Sequence, residues 1–252
     1  MRLISSSKTI LFSFALLLLP RTAIFAEAPP LLDTAFQKLL ADEDHWAYTQ
    51  IIRRSDKTKR DTVERFDPSK PEAQQWTLLQ YDGKPPTEPQ LKSWQKRKQK
   101  EVRRREEKSL GDLINLSDAR LYGESADIAT YEVPLQKDDK NRFPPEKFLV
   151  LMSVDKKRQE LEHVNVTLRQ SQTFRMKGVA SVNAVAIEAA FKKIDEKYAP
   201  QPTYITASGS GKVLGLFKVG QSAEITWTDH RRVKPYKDRF DVKLGDLKAL
   251  DF

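Results

Sequence analysis

The chain has 252 residues, with 44 Lys and Arg against 35 Asp and Glu, and no cysteine. The lack of cysteine excludes a disulfide framework, a thiolate metal site and a cysteine nucleophile, so the fold must be held by its own core. The formal charge of +9 would point to nucleic acid if it were spread over the whole chain, but its distribution and the N-terminus point elsewhere.

The first 26 residues, MRLISSSKTILFSFALLLLPRTAIFA, place Arg2 and Lys8 before an apolar run from Ile10 to Leu19, and the stretch closes on Ala26. That layout predicts a secretory signal peptide cleaved after Ala26. The run is well short of the about twenty apolar residues that span a bilayer. The expected mature protein is a single exported domain over residues 27–252, most simply in a bacterial periplasm. It has no lipobox cysteine, because it has no cysteine at all. Arg2, Lys8 and Arg21 leave with the leader, so the mature charge is +6, and the segment from Lys92 to Lys108, with nine Lys or Arg and three Glu, alone carries +6. The basic character is therefore local. In the periplasm its natural anionic partners are lipid headgroups, lipopolysaccharide or an acidic protein surface rather than nucleic acid.

In the mature chain, Leu32, Phe36, Leu39 and Leu40 recur at helical spacing behind Pro29 and Pro30, which predicts a helix from about Leu31 to Asp42. HWAYTQIIRRS, RDTVERFDP and QQWTLLQYDG read as three strands, with DKTK as a turn and Pro85-Pro86 closing the third. A charged helix is expected over about 88–110, supported by Arg97–Glu101, Glu101–Arg105 and Arg103–Glu107 pairs four apart. Its apolar stripe of Leu91, Trp94 and Val102 is interrupted by Lys98 and Arg105, which predicts light docking. DIATYEVPL alternates as a strand, and NRFPPEK is a Pro-broken loop. FLVLMSVDKKRQELEHVNVTLRQ reads as a hairpin, in which Val164, Val166 and Leu168 oppose His163, Asn165 and Thr167. TFRMKGVASVNAVAIEAAFKKID reads as one long strand-like stretch, within which AVAIEAAFKKI also suits a helix. Two strands follow the Pro200–Pro202 break, then AEITWTDHRRV, and LGDLKALDF is a short edge strand or tail. Together these elements predict an α+β domain with a large curved antiparallel sheet of about nine or ten strands, an N-terminal helix and an inserted charged helix.

Enzyme motifs do not assemble. TASGSGKV has Thr206 where a phosphate loop needs glycine and Val213 where it needs Ser or Thr, so Ser208 to Lys212 reads as a hairpin loop. His45, His163 and His230 have no metal-ligand spacing, and His163 and His230 fall on the polar parity of their strands, as solvated residues do. The acidic run Asp42 to His45 lacks the alternation of a calcium loop. No catalytic residue, metal or cofactor is assigned. Trp46, Tyr48, Trp76, Phe148, Met152, Phe174, Met176, Phe217 and Trp227 are instead spread over most of the strands, as they would be in a packed core or around an apolar ligand site.

An exported chain with an initial amphipathic helix, about ten antiparallel strands and a helical insertion resembles the LolA/LolB-like group, including the RseB and LppX types. ERFDPSKPEAQQWTLLQYDGKPPT and VASVNAVAIEAAFKKID also look like segments of uncharacterised exported proteins of Gram-negative bacteria. The resemblance is one of architecture. It implies an unclosed β-barrel with helices over an apolar cavity, and a non-catalytic periplasmic protein that binds a lipid or lipid-linked ligand. In that reading the nine apolar residues line the cavity, and Lys96, Arg97, Lys98, Arg103, Arg104 and Arg105 meet an anionic surface. Two alternatives stand beside it: an envelope sensor or scaffold that binds another protein through the basic helix, and a hydrolase whose site assembles only in space.

Overall fold

The computed structural model describes residues 27–42, 45–55, 60–107, 111–137, 144–169, 174–176, 180–213 and 217–239. The expected leader, the DKTK turn and the LGDLKALDF segment lie outside these residues. Helix α1 (Pro30–Asp42) starts at its proline, whose fixed φ suits a first helical turn, and it buries Leu32, Ala35 and Phe36 on one face.

Eleven strands follow among the described residues: β1 (Trp46–Arg54), β2 (Thr62–Phe66), β3 (Trp76–Tyr81), β4 (Arg120–Glu124), β5 (Ile128–Glu132), β6 (Phe148–Asp155), β7 (Glu160–Leu168), β8 (Phe174–Met176), β9 (Ala180–Lys192), β10 (Gln201–Val213) and β11 (Phe217–Arg232). Helix α2 (Glu88–Glu107) lies between β3 and β4. The strands form one antiparallel sheet in the order β3-β2-β1-β11-β10-β9-β7-β6-β5-β4, with β8 also on β9. The ends of that order, β3 and β4, are not paired with each other, so the sheet is open. The class is thus β-rich α+β: a large open antiparallel sheet with two helices among the described residues. Strand β4 was not expected, because RLYGE has neither alternation nor a buried position and is held by its backbone pairing to β5.

The register places one row of residues across ten strands. Leu121, Tyr131, Met152, Val164, Ala189, Ile205, Ile225, Ile52, Thr62 and Tyr81 follow one another as cross-strand partners from β4 to β3. Directly paired residues share a face of the sheet, so this face carries apolar or aromatic side chains at every strand except the Thr62 position. Helix α1 packs on it over β6 and β7, and α2 packs at β3. The main core forms beneath α1, where Leu32, Ala35 and Phe36 meet Tyr131, Val150, Met152, Val154 and Leu161.

Two expectations are corrected, and one that stood between two readings is decided. Ser208–Lys212 is not a hairpin loop but the far half of β10, paired with β9 on one side and β11 on the other. Gly211 serves close packing: a Cβ there would sit 2.1 Å from the Ser181 carbonyl oxygen, beside a register shift between Ser210 and Gly211. The strand reading of AVAIEAAFKKI holds as far as Lys192, the end of β9, because neighbours on both edges supply ladder partners that outweigh the helical preference of its alanines. His230 is not on the polar face. Asp229 takes a positive φ of 55° where the β1–β11 register shifts between Ala47 and Thr49, and the extra residue turns His230 onto the aromatic side.

Candidate functional site: an apolar sheet face framed by two carboxylate clamps

On β2, alternation puts Thr62, Glu64 and Phe66 on the apolar face, and Glu64 is buried at 3% exposure. A carboxylate there needs compensation. Thr62 Oγ1 donates to Glu64 Oε1 at 3.1 Å, and Trp94 Nε1 of α2 donates to the same oxygen at 2.8 Å. The Lys98 ammonium lies 2.5 Å from Oε2, and its approach makes a charge pair rather than a well-directed hydrogen bond. Lys98 also sits 4.0 Å from the Trp76 ring centroid on β3 and 3.3 Å from Glu101. One turn of α2 is therefore fastened to the sheet by a buried carboxylate, an indole N–H and an ammonium over an aromatic ring.

A second clamp has the same parts. Asp42, at the end of α1, accepts from Trp46 Nε1 at 2.8 Å and from the Arg232 guanidinium. Arg232 in turn lies 3.6 Å from the Tyr198 ring centroid. This clamp ties α1 to β1 and β11. The Asp42 to His45 run is thereby accounted for at Asp42, and among the described residues no group of acids and histidines is placed to hold a metal.

Between the clamps lies an aromatic cluster. Tyr48 packs on Phe66 with centroids 5.2 Å apart, Phe66 on Trp76 at 4.8 Å, and His230 against Trp46 and Tyr48 at 6.4 and 6.2 Å. Burial holds the His230 imidazole below its usual pKa; the hydrogen bond to the Pro202 carbonyl and the charge of Asp229 oppose this and are outweighed. His163 is exposed, and His45 Nε2 is 3.7 Å from Asp238.

Of the nine residues expected around an apolar site, Trp46, Tyr48 and Trp76 join this cluster. Trp227 faces Gln50 on the neighbouring strand. Met152 is buried in the core below α1, and Phe148 and Phe174 form a separate pair 5.8 Å apart. The backbone of Met176 pairs with Ala180 and that of Phe217 with Val213, and their side chains lie outside the description. Between α1 and α2, on β9, β10 and β11, Val185, Ile187, Ile205, Ala207, Ala223 and Ile225 are only half-buried.

Among the expected basic-surface residues, Lys96, Arg97 and Arg103 are exposed, and the side chains of Arg104 and Arg105 lie outside the description. Lys98 is a correction. It is 6% exposed and points inward to Glu64, so it cannot meet an external anion. Sequence reading missed Glu64, Phe66, Tyr198 and Arg232. The cue for Glu64 was present: an acid on the apolar parity of β2 and a base on the apolar stripe of α2 are two misfits of opposite sign that cancel when paired.

Comparison with protein-family models, with curated proteins and with solved structures returns no match for the chain.

Proposed function

We propose that the chain is an exported, periplasmic, non-catalytic binding protein for a lipid or lipid-linked ligand, built as an unclosed barrel of the LolA/LolB-like kind. The observation that carries the reading is the apolar row across the open sheet, broken only at Thr62, with α2 at β3, α1 over β6 and β7, and half-buried aliphatic side chains on the strands between them. Acyl carbons laid on that stretch would each gain about 0.8 kcal/mol, so half of a sixteen-carbon chain offsets a large ordering cost. The test is a thermal melt of delipidated protein with and without fatty acid or phospholipid, joined to native mass spectrometry of freshly purified material. A ligand that binds only the folded state raises the melting temperature by mass action. Unchanged melting, unchanged Trp emission and no co-purified lipid would remove the reading.

A second reading, an envelope sensor or scaffold, is favoured by one observation, which lies on the sheet edge and not on the basic helix expected to dock the partner. On the edge strand β4, Leu121 is 55% and Tyr122 59% exposed, with Leu113 also exposed nearby in sequence. Exposed apolar side chains on a free sheet edge suit a protein partner. Stoichiometric capture of one envelope protein, lost in Leu121→Ser/Tyr122→Ser, is the outcome this reading requires.

A further inference from the structure

The buried Trp94–Lys98 turn fixes which way the rest of α2 points. At about 100° per residue, the arc opposite Trp94 and Lys98 carries Lys92, Lys96, Lys100 and Arg103. All four are exposed, and none is ion-paired to a residue whose side chain is described. They form a ridge about 16 Å long at 1.5 Å per residue, set on a helix whose inner face is clamped to the sheet. We propose that this ridge is a peripheral membrane contact that holds the protein against an anionic phospholipid leaflet.

The chemistry of the ridge chooses the partner. A protein interface gains its affinity from desolvated aromatic and aliphatic anchors, and lysine is depleted there. Three of these four residues are lysines, and the arc carries no exposed aromatic or large aliphatic side chain. A row of flexible ammonium groups with nothing to insert suits the diffuse negative potential of headgroups, which gains from each Lys or Arg independently of exact geometry. The clamp keeps the row in line: if α2 could roll, Lys98 would be as available as Lys96. The ridge deepens the lipid-binding reading by naming the surface at which lipid would be met, but it depends only on α2 and not on an acyl site.

The test uses the full mature chain and sedimentation with phosphatidylcholine vesicles, with and without phosphatidylglycerol. Lys92→Gln/Lys96→Gln/Lys100→Gln/Arg103→Gln is compared with Lys84→Gln/Lys157→Gln/Lys197→Gln/Lys234→Gln, which removes the same charge from exposed positions elsewhere. With about fivefold in affinity per cation, the ridge variant should bind phosphatidylglycerol vesicles several hundredfold more weakly than wild type, and the scattered variant nearly as well. Wild-type binding should fall as salt rises and be absent on pure phosphatidylcholine. Equal loss in the two variants, undiminished binding of the ridge variant, or no wild-type binding to anionic vesicles overturns the proposal. So does a ridge variant that loses binding to an acidic protein captured by wild type while keeping its binding to vesicles. Thermal melts with added fatty acid should respond alike in both variants, which separates failure of the ridge from failure of the acyl site.

Discussion

Replacing Glu64 with Gln leaves the buried Lys98 ammonium with only the half-exposed Glu101 as counter-charge, and Lys98→Met leaves Glu64 with only the Trp94 and Thr62 donors. Breaking one side of a buried pair costs about 3–5 kcal/mol, while removing both charges together costs far less. Urea unfolding of the two single variants and the double variant should therefore show strong coupling, and purely additive losses would mean that the clamp does not hold α2. His230 gives a second prediction with a definite pH window. Its folded pKa is depressed by burial, so above about pH 6.5 it is neutral in both states and contributes nothing to pH dependence. Below that pH the unfolded chain takes up the proton first, and stability falls as the pH drops. His230→Gln should flatten the fall in melting temperature between pH 7 and 5, and an unchanged slope would rule the residue out as its source. Asp67 acts in a lower window. Burial raises its carboxyl, but the hydrogen bonds from Ser69 and the charges of Arg231 and Lys70 prevail and hold it below the usual value. Its contribution is therefore present above about pH 4 and is lost as the pH falls through the depressed pKa.

At the scale of elements, α1, α2 and most of the strands were legible because hydrophobic periodicity and breakers mark them, although β8 was not separated from β9 and three strands were expected where β10 and β11 stand. Leu32, Ala35 and Phe36 repeat at helical spacing, and Pro85-Pro86 separates β3 from α2. What escaped was set by partners far away in sequence. Nothing local in TASGSGKV shows that both of its edges are paired, and nothing in WTDHRR announces the bulge that turns His230 inward. The site was legible to the same degree: the aromatics stood out, but their division into a cluster by α2, a core below α1 and a Phe148–Phe174 pair depends on strand order. The glycines of β10 allow a direct check. Gly211→Ala drives a methyl group into the Ser181 backbone and should cost about 1–3 kcal/mol, as overpacking does. Gly209→Ala, whose nearest neighbour would be the Ala184 oxygen at 3.6 Å, fits in ordinary contact and should cost much less. Chemical denaturation of the two variants decides it, and equal losses would contradict the close approach at Gly211.

At the scale of the whole molecule, β11 occupies a singular position in the strand order. It pairs with β10 along one edge and with β1 along the other, so Trp46 lies beside Arg232 and Arg54 beside Ala223. Strands β1 to β3, with α2 fastened to them, join the remainder of the sheet through this strand. A chain threaded N-terminus first through a narrow passage would present β1, β2 and β3 long before their inner neighbour arrives. Those strands would wait with an unpaired edge and an aromatic face in water, a state prone to wrong pairings. The β6–β7 hairpin, by contrast, closes over a four-residue turn as soon as it emerges. Pulse-labelled hydrogen exchange during refolding should find β6 and β7 protected early and β1 protected last, at the rate at which β11 docks, since contacts distant in sequence form slowly. Simultaneous protection of β1 and β6 would refute that order. Until that last strand is delivered, the segment carrying Tyr48, Phe66 and Trp76 keeps a bare edge and an aromatic face of the sort that chaperones cover, so its fate depends on how quickly the C-terminal third of the polypeptide follows it.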